Sequence, residues 1–366
     1  MAKPIISADS HVVEPPGTYV DRIDKKFLDR APRMVHDEQR GDIFVIDGSP
    51  RNIPLSLISA AGKKPEELSA KGAVFEKLHR GGWEPQARLR DQDADGVSAE
   101  VIYPSVGMEL CGNPDMDYKK ACMDAYNLWL AEFCAEAPQR LIGQGQTAMR
   151  TPDDGIEDMR KIKEMGLRGV MLPGLPGVED YDSPIYGEFW EASVQLEMPL
   201  SFHILTASED LKLHSRGGKL NGFMNIIRSN QDVMGMLVFG GVFMRHPKLR
   251  IVCVEADAGW VPHFSYRMDH AYKRHRHWMK GDELEKLPSE YFHEHIYLTF
   301  QDDFTAFQLK DLLNVERLMW ANDFPHSDST WPNSQEVIRT HMANLSEGEK
   351  ERVLHDNVAE LYQLAV

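Results

Sequence analysis

Eight short apolar runs, rich in β-branched residues, alternate with longer amphipathic stretches along this chain, and this alternation limits the folds open to it. The runs cover residues 5–6, 99–104, 141–146, 169–173, 198–203, 250–255, 296–300 and 317–323. Between them, apolar residues recur every three or four positions, which predicts helices over 118–137, 155–165 and 184–196. Strands that alternate with helices form parallel β/α units, so eight units predict an α/β fold, a closed (β/α)8 TIM barrel.

An open, doubly wound sheet is the alternative fold, but no Gly-x-Gly-x-x-Gly motif follows the first run to support it. The 366 residues exceed one ordinary domain. Barrels of alternating strands and helices nevertheless form single units of about 250 residues and more, so we expect a single domain over 1–366. Residues 37–82 are poorly periodic and rich in Gly and Pro, which predicts an inserted loop after the first strand that acts as a lid over the barrel mouth. Two helices are expected in the tail, starting near Ser334 and Ser346.

Charge and composition exclude several classes of partner. The formal net charge is -16 and no Lys/Arg cluster alternates with aromatic residues, so nucleic acid is not an expected partner. No apolar run approaches the length of a membrane span, and the N-terminus lacks a secretory signal. The cysteines form no Cys-x-x-Cys pair and indicate reduced thiols; they are Cys111, Cys122, Cys134 and Cys253. We therefore expect a cytoplasmic protein that acts on a small molecule.

Ionisable residues end four of the eight predicted strands, at the same level of the barrel. They are Asp9 and His11, then His203, Glu255, and finally Asp323 with His326 close behind. A polar group at the end of a buried strand costs stability unless it is paired, so this repetition favours one shared site. Two imidazoles and two carboxylates, from His11, His203, Asp9 and Asp323, suit one divalent ion with a position left open for water or substrate.

Other residues near these strand ends have two interpretations each. Glu255 either works beside the ion or anchors the loop that follows it, and His326 either orients a ligand or is a hydrogen-bonded turn histidine. Glu14, Trp260 and His263 are candidates for a substrate pocket, although Glu14 could instead shape its turn and Trp260 could belong to the core. Aromatic side chains expected near the mouth favour a planar or largely apolar substrate; they are Tyr103, Trp260, Phe324 and Trp331.

Four segments, in this order, resemble the amidohydrolase superfamily: "ADSHVVEP", "PLSFH", "GGVFMRHPKLRIVCVEADAGWVP" and "LMWANDFPHSDSTWP". More narrowly they resemble the branch that contains aminocarboxymuconate semialdehyde decarboxylase and gamma-resorcylate decarboxylase. The resemblance implies a single-metal barrel in which Asp9, His11, His203 and Asp323 bind the ion. Residues 169–173 lack the bridging lysine of binuclear members, which again favours one ion. Glu255 stands where the decarboxylases of the branch usually have a histidine.

These observations predict a metal-dependent hydrolase. A divalent ion, Zn²⁺ or Mn²⁺, would activate a water molecule, Asp323 would take its proton, and Glu255 would hold the water or relay that proton. The alternative implied by the resemblance is a non-oxidative decarboxylase of an aromatic or unsaturated carboxylic acid, with Asp323 protonating the carbon. A hydratase and a non-catalytic binding protein are further alternatives. The resemblance also implies a homodimer or a higher homo-oligomer.

Overall fold

A computed structural model describes residues 3–49, 51–206 and 218–365 of the chain. The strands among these residues, β1 to β11, span Ile6–His11, Arg33–Asp37, Gly41–Val45, Ile53–Pro54, Ala99–Tyr103, Leu141–Gln146, Gly169–Leu172, Leu200–His203, Ile251–Val254, Ile296–Phe300 and Leu318–Trp320. Strand β1 and strands β5 to β11 form one parallel sheet in sequential order. Each of the eight overlaps one of the predicted runs, so the predicted (β/α)8 barrel is confirmed.

The sheet closes where the segment after β11 meets β1. The amide of Asp323 donates to the carbonyl oxygen of Asp9 at 3.1 Å, and the amide of His11 donates to that of Phe324 at 2.6 Å. Two metal-ligand candidates from opposite ends of the sequence are thereby joined through the backbone.

Helices follow the barrel strands and cover the sheet. Helices α1 to α15 span Gly17–Val20, Leu55–Ile58, Pro85–Asp95, Val106–Leu110, Met116–Ala135, Pro152–Glu164, Gly187–Leu196, Arg228–Phe239, Val242–Arg245, Val261–Met279, Pro288–His295, Phe304–Gln308, Ser334–His341, Glu347–Glu351 and Asn357–Tyr362. Short 3-10 turns and a π-helical segment, Arg352–Asp356, join several of them. None of the described helices combines the length and the apolarity needed to cross a membrane.

Capping side chains set the starts of the long helices. Asp115 accepts from the amide of Tyr118 and begins α5, and Thr151 accepts from the amide of Asp154 and begins α6. The helix therefore begins at Pro152, three residues before the predicted start at residue 155. Proline is tolerated there because the first turn of a helix does not use its missing N–H. In the tail, Ser346 and Glu349 form a reciprocal capping box at the start of α14, as its sequence predicts.

The barrel strands are buried on both faces, which is typical of a parallel sheet covered by helices. Helix α6 approaches β6 closely at Gly145. A Cβ atom at Gly145 would lie 2.7 Å from a methyl carbon of Ile162, so only glycine fits there. The core thus requires small residues on β6 as well as the large apolar residues of its neighbours.

Residues 37–82 are less irregular than expected. Strands β2, β3 and β4 form an antiparallel sheet that begins at Arg33, so the predicted boundary at residue 37 falls at the end of β2. Its short, half-buried strands lack a clear alternation, which is why their sequence resembles a loop. The amides of Ala60 and Ala61 donate to the carbonyl oxygen of Pro325, at 2.8 and 3.0 Å. The insertion is therefore fastened beside the loop that carries Asp323, and its action as a lid remains a prediction.

Candidate metal centre

The centre lies at the carboxyl ends of the barrel strands, where barrel enzymes place their active sites. Asp9 and His11 belong to the end of β1 and His203 is the last residue of β8. Glu255 follows β9 directly, and Asp323 lies three residues beyond β11. All these side chains are fully buried except that of Glu255, which is 14% exposed.

The two imidazoles meet at their Nε2 atoms, which lie 3.2 Å apart. From Nε2 of His11, one oxygen of Asp9 and one of Asp323 each lie 3.5 Å away. Nε2 of His203 lies 3.7 Å from the same Asp9 oxygen. The ligand atoms form two overlapping groups, in each of which all atoms lie within 4.8 Å of one another: Asp9, His11, His203 and Glu255, and His11, Glu255, Asp323 and His326. Three of the predicted ligands thus share one group, and Asp323 lies in the group that overlaps it at His11 and Glu255.

Backbone carbonyls orient both imidazoles. Nδ1 of His11 donates to the carbonyl oxygen of Pro104 at 2.9 Å, and Nδ1 of His203 donates to that of Ile204 at 3.0 Å. A ring that carries its hydrogen on Nδ1 presents a lone pair at Nε2, and this is the arrangement of metal-binding histidines.

Both oxygens of Asp9 and both of Asp323 are buried without a hydrogen-bond partner among the described residues. An unpaired buried carboxylate is costly, because no solvent or donor compensates its charge. Burial and the charge of Glu255 raise the pKa of Asp323 well above its usual value. Burial opposes the protonation of His203, but Asp9 and Glu255 outweigh burial and raise the pKa of that imidazole. The carboxylates of the centre therefore favour positive charge beside them, and a divalent cation held by these side chains would supply it.

Glu255 belongs to the same centre. Its Oε2 atom lies 3.1 Å from Nε2 of His203 and 3.6 Å from Nε2 of His11. Burial would raise the pKa of Glu255, but the two imidazoles outweigh it and lower that pKa. Glu255 and Asp323 both have a left-handed backbone, with φ of 57° and 48°. Non-glycine residues adopt this conformation at a cost, and such strain is concentrated at functional sites.

His326 lies against the ligands. Its ring stacks on His11 with centroids 3.8 Å apart, and its Nδ1 atom lies 3.2 Å from an oxygen of Asp323. On the other side, Nε2 lies 2.7 Å from the hydroxyl oxygen of Ser105. Burial lowers the pKa of His326 to about 4, so the ring is neutral at pH 7. His326 is thus held between Asp323 and Ser105.

Two of the three residues predicted to line a substrate pocket have different surroundings. Glu14 is fully buried, and its carboxylate accepts from the amides of Ser105, Val106 and Gly107, at 3.0 to 3.2 Å. The indole of Trp260 donates to the carbonyl of Ala256 at 2.7 Å. Glu14 thus holds the turn at residues 105–107, and the partly buried Trp260 packs against the core. A contact of either residue with substrate remains a prediction.

The third pocket candidate, His263, is exposed in the first turn of α10. Of the predicted mouth aromatics, Tyr103 lies within 6.2 Å of His11 and 5.3 Å of His203, measured between ring centroids. Phe324 packs under a buried arginine, Arg88, which sequence reasoning did not single out. Ser105 was missed as well, and its only signal is its place directly after Pro104 at the end of a strand.

Known proteins share the sequence pattern and the fold of this chain. The profile of the family described as Amidohydrolase matches residues 20–364. The gamma-resorcylate decarboxylase of Rhizobium sp. (strain MTP-10005) is 23% identical over 335 residues, which cover 85% of this chain and 95% of that protein. The structure of an amidohydrolase from Mycobacterium avium subsp. paratuberculosis superposes with a TM-score of 0.80 at 20% identity, covering 98% of this chain and 99% of the other.

A second structural neighbour is 5-carboxyvanillate decarboxylase from Novosphingobium aromaticivorans, determined in complex with manganese and a nitrobenzoic acid. It superposes with a TM-score of 0.71 at 18% identity, covering 98% of this chain and 96% of the other. At this level of identity the two superpositions establish the shared fold.

Proposed function

Because this chain belongs to the amidohydrolase family, we propose that it is a metal-dependent decarboxylase of a small aromatic carboxylic acid. The observation that carries the proposal is that the Nε2 atoms of two imidazoles meet at the barrel mouth, beside the buried carboxylates of Asp9 and Asp323. The names of the relatives, gamma-resorcylate decarboxylase and 5-carboxyvanillate decarboxylase, support decarboxylation over the hydrolysis expected first from the sequence.

Asp9, His11, His203 and Asp323 would hold one divalent ion. Manganese in the Novosphingobium structure supports Mn²⁺, and the mixed nitrogen and oxygen donors also suit Zn²⁺. When bound, the ion supplies Lewis acidity and a fixed position for substrate oxygens.

Decarboxylation replaces a carbon–carboxylate bond with a carbon–hydrogen bond. Carbon dioxide leaves, and the electron pair that remains on the ring carbon must take up a proton. Asp323 and His326 are suited to hold that proton between them, because one Asp323 oxygen lies 3.2 Å from Nδ1 of His326. The His326 side chain is 12% exposed, so it can regain a proton from solvent after Asp323 has given one up.

Hydrolysis is the second candidate, and Glu255 favours it. Its carboxylate faces both imidazoles, so an anionic substrate bound at the same ion would lie close to a second negative charge. Like charges at such distances repel, whereas a carboxylate beside a bound water can accept its proton. The prediction from the sequence, that Glu255 holds the attacking water or relays its proton, applies to this hydrolytic reaction.

The test is an assay of the Mn²⁺- or Zn²⁺-loaded protein on 2,6-dihydroxybenzoate, 5-carboxyvanillate and related hydroxybenzoates, with carbon dioxide release as the readout. Carbon dioxide formed with turnover, and absent in Asp323→Asn, supports the decarboxylase. Metal-loaded protein that releases none from this panel, but hydrolyses members of a panel of esters, lactones and amides, replaces it with the hydrolase.

A further inference from the structure

We propose that Arg88 is a positioning residue that fixes the spacing of the metal ligands across the seam, the junction between β1 and residues 321–324 after β11. Arg88 lies in α3 and its side chain is fully buried. This inference rests on the metal centre of the proposed function, and it holds for either reaction.

The seam carries three of the four metal-ligand candidates, Asp9, His11 and Asp323. Among the described residues, each of these two edge strands is paired with its other neighbour only: β1 with β5 and β11 with β10. Across the seam itself run the two backbone hydrogen bonds from the amides of Asp323 and His11. Two such bonds hold less firmly than a full ladder, so the ligand spacing needs further support.

Arg88 supplies that support from behind the centre. One terminal nitrogen of its guanidinium donates to the carbonyl oxygen of His11 at 2.7 Å, and the other donates to that of Phe324 at 3.3 Å. The guanidinium carbon also lies 4.6 Å from the centroid of the Phe324 ring. A single planar group thus donates hydrogen bonds to both sides of the seam: to the predicted ligand His11 on one side and to Phe324, the neighbour of Asp323, on the other.

A second path reaches Asp323 through Glu100. The Nε atom of Arg88 donates to the carboxylate of Glu100, whose other oxygen accepts from Nδ2 of Asn322 at 3.0 Å. Asn322 precedes Asp323 and also accepts from the hydroxyl of Ser7, on β1, at 2.9 Å. Every member of this network is at least 98% buried. The network therefore fixes the residue on each side of Asp323.

The chemistry of these contacts separates a positioning role from a purely stabilising one. A buried ion pair adds little stability compared with apolar residues of the same volume, so stability alone does not explain it. A methionine keeps most of the packing of Arg88 but lacks donors. A lysine keeps the charge but cannot donate to two carbonyls in one plane.

The experiment compares Arg88→Met and Arg88→Lys with Lys120→Met. Lys120 is the control because it makes a partly buried ion pair, with Asp158, away from the seam. The other partners of this pair are Asp124, on α5, and Thr147, directly after β6. Two readouts are used: amide hydrogen exchange at His11 and Asp323 in metal-free protein, and the affinity and visible spectrum of bound Co²⁺.

We expect Arg88→Met to speed exchange at both amides and to weaken Co²⁺ binding by about tenfold or more, with an altered spectrum. Arg88→Lys should lie between this variant and the wild type, and Lys120→Met should match the wild type in both readouts. Wild-type exchange and Co²⁺ binding in Arg88→Met would overturn the proposal. If Arg88→Met does not fold, Arg88→Lys and Glu100→Gln decide by the same readouts. Wild-type protein that binds Co²⁺ but releases no carbon dioxide contradicts only the proposed reaction.

Discussion

The hydroxyl oxygen of Ser105 lies 2.7 Å from Nε2 of His326 and 2.7 Å from the carbonyl oxygen of Val12. The carbonyl can only accept, so the hydroxyl donates to it and accepts the hydrogen of Nε2. Nδ1 of the neutral His326 ring then faces Asp323 with its lone pair. Ser105 thereby determines which nitrogen of His326 shares a proton with Asp323.

Replacing Ser105 with alanine should lower kcat about tenfold, the loss expected for one buried hydrogen bond to a catalytic ring. Metal content should stay unchanged, because the hydroxyl of Ser105 hydrogen-bonds to Val12 and His326 rather than to one of the four predicted ligands. Steady-state kinetics and elemental analysis on one preparation check both statements. Loss of the metal in Ser105→Ala would show that Ser105 supports the centre as a whole.

Asp323→Asn should lower kcat by at least about a hundredfold, because an amide cannot deliver the proton that the carboxyl group supplies. The fold should persist, since the variant keeps the shape of the side chain and the backbone bond to Asp9. Circular dichroism confirms the fold while turnover is measured. Activity close to that of the wild type would remove Asp323 from the mechanism.

Removing the metal should destabilise the protein, because an ion that binds only the native state stabilises it by about 2.7 kcal/mol at a hundred times its dissociation constant. Melting curves with and without chelator measure this shift, and elemental analysis should find about one ion per chain. His203→Ala should lose the ion, whereas His277→Ala, which changes an exposed histidine of α10, should retain it. Equal metal content in the two variants would contradict the assignment of His203.

Glu255→Gln distinguishes the two candidate reactions. If the substrate is an aromatic carboxylate, loss of the repelling charge should lower KM while kcat is largely kept. If Glu255 handles water, kcat should fall while KM changes little. Asp302→Asn removes an exposed carboxylate after β10 and is the matched control.

The buried carboxyl group of Glu14 should make the free energy of unfolding depend on pH. Burial raises its pKa from 4.5 to about 7, so the native state binds this proton more tightly than the unfolded state does. The resulting stabilisation is complete below pH 4.5 and is lost as pH rises towards 7, by about 3 kcal/mol. Urea unfolding at pH 5 and pH 8 should show this loss in the wild type and a smaller one in Glu14→Gln. The same pH dependence in both proteins would place the titration elsewhere.

The sequence predicted the barrel well, because its buried strands are short apolar runs with distinct boundaries. It also identified the residues that converge at the centre, since ionisable side chains at the ends of buried strands are conspicuous. Helix α3 was not predicted, because its buried face carries Arg88, Gln92 and Asp95 in place of an apolar stripe. Nothing local separates the buried Arg88 from the exposed Arg90 two residues later. The hydrogen bonds of Glu14 could not be predicted from the sequence either, because the amides that donate to it, those of residues 105–107, lie far along the chain.

Ser7 and Asn322 are hydrogen-bonded across the seam although 315 residues separate them along the chain. Residues 9 and 323 can therefore meet only after the ribosome has released the chain through the last barrel strand. A nascent or truncated chain that lacks the last barrel strand holds only part of the ligand set, so it cannot sequester a metal ion tightly. A metal ion held at the proposed site would thus report that residues 9 to 323 have been joined into a closed barrel.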